Sequence, residues 1–197
     1  MKYEPLTFEI PELEGISRET INLHLGLYQG YVKHVNLIRK KIADYSNEPE
    51  TNAYAIAEMR RRLGFEFGGM RNHEYYFASL EGGAKELSEQ SDLRSALTKE
   101  FGSLETFLNR FKSVALTRGV GWAILYYDKK TDRLLIQWVD EQHLGHLTDT
   151  AMILALDMWE HSYLFDYIPS QKKEYVKAFF ENLNWEVVEQ NFTNAIK

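Results

Sequence analysis

Cysteine is absent from this 197-residue chain. That absence excludes a disulfide framework, thiol catalysis and the thiolate donors on which structural zinc sites usually rely. No apolar run approaches the roughly 18 residues that a membrane-spanning helix needs. Met1-Lys2-Tyr3-Glu4-Pro5 lacks the apolar core of a signal peptide, so a cytoplasmic location and no membrane partner are the expectations. Positive charge is the minority sign, with 23 Lys and Arg against 29 Asp and Glu, a net charge of −6. A chain of this balance offers no basic face for nucleic acid. Any anionic substrate must be drawn in by local fields rather than by the molecule as a whole. What remains is a composition 44% hydrophobic and 26% charged, that of a globular protein with one good core or two small ones.

Hydrophobic spacing divides the chain into two parts. Residues 1–16 read as an extended arm broken by Pro5, Pro11 and Gly15. Ser17 then offers an N-cap, with Glu19 and Thr20 in the first turn. Ile21, His24, Leu25, Tyr28, Tyr31, Val32, Val35 and Ile38 recur at helical spacing to about Ala43. After the polar turn from Ser46 to Glu50, a second long helix is predicted from about Thr51 to Leu80. Gly64, Gly68 and Gly69 within it imply either a bend or a close backbone approach. Beyond Glu81-Gly82-Gly83 the pattern changes. Ser91 and Ser103 each cap a short amphipathic helix, and the runs 120–127 and 133–139, joined by Asp128-Lys129-Lys130-Thr131-Asp132, read as a hairpin. Residues 151–156 read as a third, fully buried strand, and 171–196 as a helical tail with Trp185 and Val188 facing in. The expectation is an α+β fold. A helical hairpin, 1–85, precedes a small three-stranded antiparallel sheet flanked by helices, 86–197.

Asp157 sits at the end of the apolar third strand, where an unpaired carboxylate is costly to bury and a bound cation removes the cost. His161 follows four residues later, and His24 and His73 lie on the two predicted long helices. His24 shares a helix face with Tyr28 and Tyr31, which also fits a plain aromatic seam, and His73 is followed by Tyr75, Tyr76 and Phe77, which fits plain core. Taken together, three imidazoles and one carboxylate suit a first-row transition metal, the oxygen donor favouring the manganese and iron end of the series. His34, on a polar helix face, and His146, in a loop, read as solvent-facing. His143 is ambiguous because Gln142 precedes it.

The segment Leu156-Asp157-Met158-Trp159-Glu160-His161-Ser162-Tyr163 resembles the signature of iron/manganese superoxide dismutases. Asn72-His73-Glu74-Tyr75-Tyr76, Gly119-Val120-Gly121-Trp122, Phe101-Gly102-Ser103 and Asn184-Trp185-Glu186 are similar to further motifs of that family, in the same order. The resemblance implies one manganese or iron ion per subunit held by His24, His73, Asp157 and His161. It makes Tyr31 the gateway tyrosine and Trp122 and Trp159 the aromatic walls. Glu160 becomes a group reaching the metal histidine of a second subunit, and hence implies a homodimer, with a tetramer as the larger option. Tyr163 belongs to proton delivery. The implied reaction converts superoxide to oxygen and hydrogen peroxide by redox cycling of the metal.

In that family the glutamine that tunes the metal comes from the second helix in iron enzymes and from the second domain in manganese enzymes. Here the helix position is Gly69, and Gln142 falls at the manganese-type position, with His143 as a competitor if the loop shifts by one residue; manganese is favoured. Three features depart from the family pattern. Seven residues separate His24 from Tyr31 where eight are common, and Leu27 or Tyr28 stands where an interface histidine is usual. Seven residues return to within ~20° of one helix face, so this helix is expected to be regular, without a bulge. Phe77 replaces a tryptophan, and Gln171, Lys172 and Lys173 occupy the stretch that commonly holds a substrate-guiding arginine. Two alternatives remain: a metalloprotein of this fold acting on another small oxidant, and a non-catalytic homologue, which the four retained donors argue against.

Overall fold

A computed structural model describes residues 1–197. Helix α1, Arg18–Tyr45, starts where Ser17 accepts a hydrogen bond from the Thr20 amide. Its buried stripe is Thr20, Ile21, His24, Tyr28, Val32, Val35 and Ile38, the helical spacing of the sequence pattern. Helix α2, Ala53–Ala78, packs along α1 to make the hairpin and runs unbroken through all three glycines. The N-terminal arm lies against this pair. The Leu6 amide donates to Tyr28 Oη at 2.8 Å, and Phe8 packs on Tyr28 and Phe77.

Two short helices follow, α3, Asp92–Phe101, and α4, Leu104–Ala115, capped by Ser91 and Ser103. Strands β1, Gly121–Asp128, β2, Arg133–Asp140, and β3, Thr150–Asp157, form an antiparallel sheet in the order β2-β1-β3. The β1–β2 turn is closed by Asp128, whose carboxylate accepts from the Lys130 amide and the Thr131 hydroxyl, and Asp132 takes a positive φ of 54°. Strand β1, in the middle, is buried nearly throughout, while β3 is buried only over its last five residues, so the expectation of a fully buried strand at 151–156 holds from Ile153 onward and fails at Ala151 and Met152.

The tail is two helices rather than one, α5, Lys172–Glu181, and α6, Trp185–Ala195, preceded by a 3-10 turn at Pro169–Gln171. The break at 182–184 joins the two halves of the molecule. The Asn184 amide donates to Ser79 O at 2.7 Å and its side chain donates to Glu81 O, pinning the end of α2, while Asn184 Oδ1 caps α6. A continuous cluster of 39 buried apolar residues runs through both halves. Each fully buried Leu, Ile or Phe in it contributes about 1.5–3 kcal/mol. The sheet register sets Trp122 opposite Asp157, and β3 packs against α2, so the ends of β1 and β3 face the middle of the hairpin.

Candidate metal centre

Helix α1 keeps α-helical geometry from His24 to Tyr31, as the seven-residue spacing predicts. Tyr31 therefore returns to the His24 side, with its ring 5.0 Å from that of His73. Tyr28, fully buried between them, points elsewhere and meets Glu74 and the Leu6 amide. Helix α2 brings His73 to the same level. Its glycines are close-approach residues: a Cβ at Gly68 would stand 2.1 Å from the Gln142 carbonyl oxygen, and one at Gly69 would stand 2.5 Å from the Tyr31 ring.

Asp157 enters from the end of β3. Its carboxylate accepts from the Trp159 amide at 2.8 Å, and its carbonyl accepts from Tyr175 Oη at 2.9 Å and Ser162 Oγ at 3.1 Å. The chain then turns through the 3-10 segment Glu160–Ser162, which swings His161 back. The Nε2 atoms of His24, His161 and His73 lie 3.0, 3.1 and 3.6 Å from one atom, Asp157 Oδ2. One donor atom from each of the four residues lies within 4.8 Å of the others, and His24, His73 and Asp157 are fully buried.

The protonation pattern tests whether a cation fits. His73 Nδ1 is 2.6 Å from the Gly69 carbonyl, which can only accept, so Nδ1 carries the proton and Nε2 a lone pair. That lone pair is buried, has no hydrogen-bond partner and faces a carboxylate oxygen. Burial drives the His73 pKa down to about 3, with the neighbouring His24 adding to the effect. Burial also lowers His24, against the pull of Asp157. For Asp157, burial acts to raise the pKa, but the imidazoles of His161 and His24 outweigh it and the carboxyl is held below its usual range. A neutral His73 imidazole and an ionised carboxylate, with the Nε2 atoms of two further imidazoles within 3.1 Å of the same oxygen, form a donor set suited to a transition-metal ion.

Gln142, fully buried just past β2, lies next to this cluster. Its Oε1 accepts from Trp122 Nε1 at 2.9 Å and its Nε2 donates to Tyr31 Oη at 2.9 Å. It is Gln142, rather than His143, that reaches the site; His143 packs on the ring of Phe65 and beside Gly64. The Gln142 carbonyl accepts from Asn72 Nδ2 at 3.2 Å and from His146 Nε2 at 3.2 Å, and His146 Nδ1 accepts from Tyr126 Oη at 2.5 Å. This corrects the reading of His146 as a solvent-facing loop residue. The backbone turn after β2 folds it inward, and no local pattern in the sequence marks that.

Trp122 meets His73 edge-on at 5.0 Å, and Trp159 stacks on His161 at 5.8 Å, so both tryptophans wall the cluster. Phe65, which the sequence reading did not single out, contacts Tyr31, His143 and Trp159 and roofs the outer side. Phe77 fills its position by packing on His24 at 4.8 Å. Glu160 is exposed, Tyr163 is buried with its hydroxyl unpaired within the chain, and the Lys172 ammonium lies 5.4 Å from the Tyr163 ring centre.

Residues 2–81 match the family model described as iron/manganese superoxide dismutases, alpha-hairpin domain, and residues 89–191 match that of the C-terminal domain. Among similar proteins is one named superoxide dismutase [Fe] from Aquifex pyrophilus, 34% identical over 203 residues, covering 100% of this chain and 93% of that protein. Another of the same name, from Methanothermobacter thermautotrophicus, is 32% identical over 201 residues, with 96% of each chain covered. A third, from Cupriavidus metallidurans, is 34% identical over 204 residues, covering both chains completely.

Proposed function

Because the chain belongs to the iron/manganese superoxide dismutase family, we propose that it converts superoxide to oxygen and hydrogen peroxide at one metal ion held by His24, His73, Asp157 and His161. The observation that carries this reading is the buried His73 Nε2 lone pair turned toward Asp157 Oδ2, an arrangement that a bound cation satisfies. When bound there, the metal would supply the one-electron redox chemistry of the reaction.

The chain's own groups confine and orient that chemistry. Trp122, Trp159, Phe65 and Phe77 exclude water from the donors and leave them in a medium where charge interactions are strong. Gln142 is held at both ends of its amide, so its orientation is fixed. Since its Nε2 donates to Tyr31 Oη, the Tyr31 hydroxyl proton is free to point at a reacting oxygen. Burial, reinforced by the charges of Asp157 and Glu66, pushes the Tyr31 phenol well above its ordinary value, so it remains a proton donor across the physiological range.

Presentation of the glutamine from the second half of the chain, with Gly69 pressed against the Tyr31 ring, supports manganese over iron, although the relatives above carry iron in their names. A homodimer is supported by the surroundings of Glu160. Helix α1 packs against the Glu160–Ser162 turn, and Leu23 and Leu27 on α1 and Leu164 and Phe165 just beyond the turn are exposed. The separate matches to 2–81 and 89–191 support a division of the chain at 85/86. No helix is long and apolar enough to cross a membrane, and a cytoplasmic setting is proposed.

Superoxide removal by preparations loaded only with manganese or only with iron tests the reading. Activity with manganese alone supports the Gln142 argument, activity with iron alone overturns it, and activity with both marks an enzyme that accepts either. A fully metallated protein without activity overturns the dismutase assignment.

A further inference from the structure

The chain carries a net charge of −6 and draws its substrate, an anion, toward a site whose deepest group is a carboxylate. Where the resemblance leads one to expect a guiding arginine in the second half, Lys172 stands over Tyr163. On the other side of the mouth lies an arginine that nothing so far has used. Arg62 is on α2, with its guanidinium carbon 3.7 Å from the ring centre of Phe65, the aromatic group that roofs Tyr31, His143 and Trp159. Its Nε donates to Glu66 Oε1 at 2.8 Å, while its two terminal amino groups carry no partner from the protein, and the side chain is 50% exposed.

Resting on the dismutase reading, we propose that Arg62 is the anion-guiding residue of the superoxide path. A guanidinium held against an aromatic face keeps its position and stays charged, which sets a fixed positive charge beside the mouth. Glu66 explains why a cation is needed here. It is buried, 7% exposed at its side chain, and close enough to Tyr31 for its charge to be felt at that hydroxyl. Left alone, it sets a negative charge beside the mouth. Arg62 neutralises it, with His34 Nδ1 3.9 Å from the other carboxylate oxygen, and leaves donors to spare. A mere helix-surface ion pair does not require that the cation lie on the roof of the site.

The test uses the full-length, metal-loaded protein and the variants R62Q, R62K, R62E, E66Q and R62Q/E66Q. Two readouts are followed from low ionic strength to well above 0.1 M: kcat/KM for superoxide, and the dissociation constant of azide from the visible spectrum. R62E should lower kcat/KM and weaken azide by on the order of fourfold at low salt, the size expected for two charge units about 10 Å from the path. R62K should keep most of the wild-type value. Both deficits should shrink once the screening length falls to about 10 Å or less. E66Q should raise kcat/KM and lower the azide dissociation constant, and R62Q/E66Q against E66Q isolates the arginine charge without leaving a buried carboxylate unpaired.

Wild-type values and an unchanged salt slope in R62E, or a deficit equal at all salt concentrations, overturn the proposal. If the loaded wild-type protein has no dismutase activity, the proposed function fails first. The azide arm then decides whether Arg62 guides anions.

Discussion

The helical half and the strand half of this protein contribute two donors each to one cluster, and they hold them by different means. His24 and His73 ride on long regular helices whose positions are set by side-chain packing. Within that half, one bond, from His73 Nδ1 to the Gly69 carbonyl, fixes a ring from its own helix. Asp157 and His161 sit where a strand ends and the chain reverses. There the backbone is tied by the Trp159 amide, Ser162 Oγ and Tyr175 Oη, and the Met158 amide donates to Gly121 O. A helix tolerates local change so long as its apolar stripe is kept, whereas a strand end needs each tie. The strand half also carries Glu160, which links its donors to the proposed subunit contact.

The largest expected effect comes from removing one donor from each half. His73→Ala and His161→Ala should each lower metal affinity on the order of a hundredfold or more, read as metal content after dialysis against a chelator. They should differ in assembly. His161→Ala removes the imidazole that Glu160 is proposed to meet across the subunit boundary and should loosen the dimer in sedimentation, while His73→Ala should leave it intact. Full metal content in either variant would refute the assigned donor set, and identical sedimentation would refute the asymmetry between the halves.

A smaller effect is expected where the halves touch. Gly68→Ala forces a methyl group onto the Gln142 carbonyl, 2.1 Å from where the Cβ must lie, and should cost about 1–3 kcal/mol in chemical denaturation. Gly30 on α1 is the contrast, with nothing within 4 Å of an added Cβ. There an alanine should stabilise by about 0.5–1 kcal/mol. Equal outcomes at the two glycines would mean that α2 does not depend on its contact with the loop after β2.

These features differ in how far the sequence discloses them. The capping serines Ser17, Ser91 and Ser103 and the Asp128–Asp132 turn act through bonds to residues two or three positions away, so local chemistry suffices to read them. Periodicity places His24 on the buried face of α1 but equally fits a plain aromatic seam, so it is the resemblance that marks His24 and His73 as donors, while the motif around Asp157 marks the other two. The break at 182–184 is masked in the sequence because Leu183 continues the apolar pattern, although Asn184 carries an N-cap signal. The glycines of α2 announced either a bend or a close approach, and only tertiary packing decides between them. His146 and Arg62 were out of reach for the same reason. Their partners Tyr126, Gln142 and Phe65 are brought to them by the turn after β2 and by the meeting of the halves.

His146 supplies the smallest effect and the finest probe of the strand half. Its Nε2 donates to the Gln142 carbonyl while Nδ1 accepts from Tyr126 Oη, so only the neutral ring can make both bonds. Burial lowers its pKa, partly opposed by the bond to the Gln142 carbonyl. A histidine whose folded pKa lies below its unfolded value of about 6.5 stabilises fully above that value, and the contribution is lost as pH falls through the folded pKa. Wild-type protein should therefore lose melting temperature below about pH 6.5 more steeply than His146→Leu at fixed metal loading. Above pH 7 the leucine variant should be the less stable, because the buried Tyr126 hydroxyl is left without a partner, at about 1–3 kcal/mol, and the Gln142 carbonyl keeps only Asn72. Parallel pH profiles would show that the Gln142 loop is held by Asn72 alone. A crossing of the two profiles would place His146 among the groups that fix Gln142 between Trp122 and Tyr31.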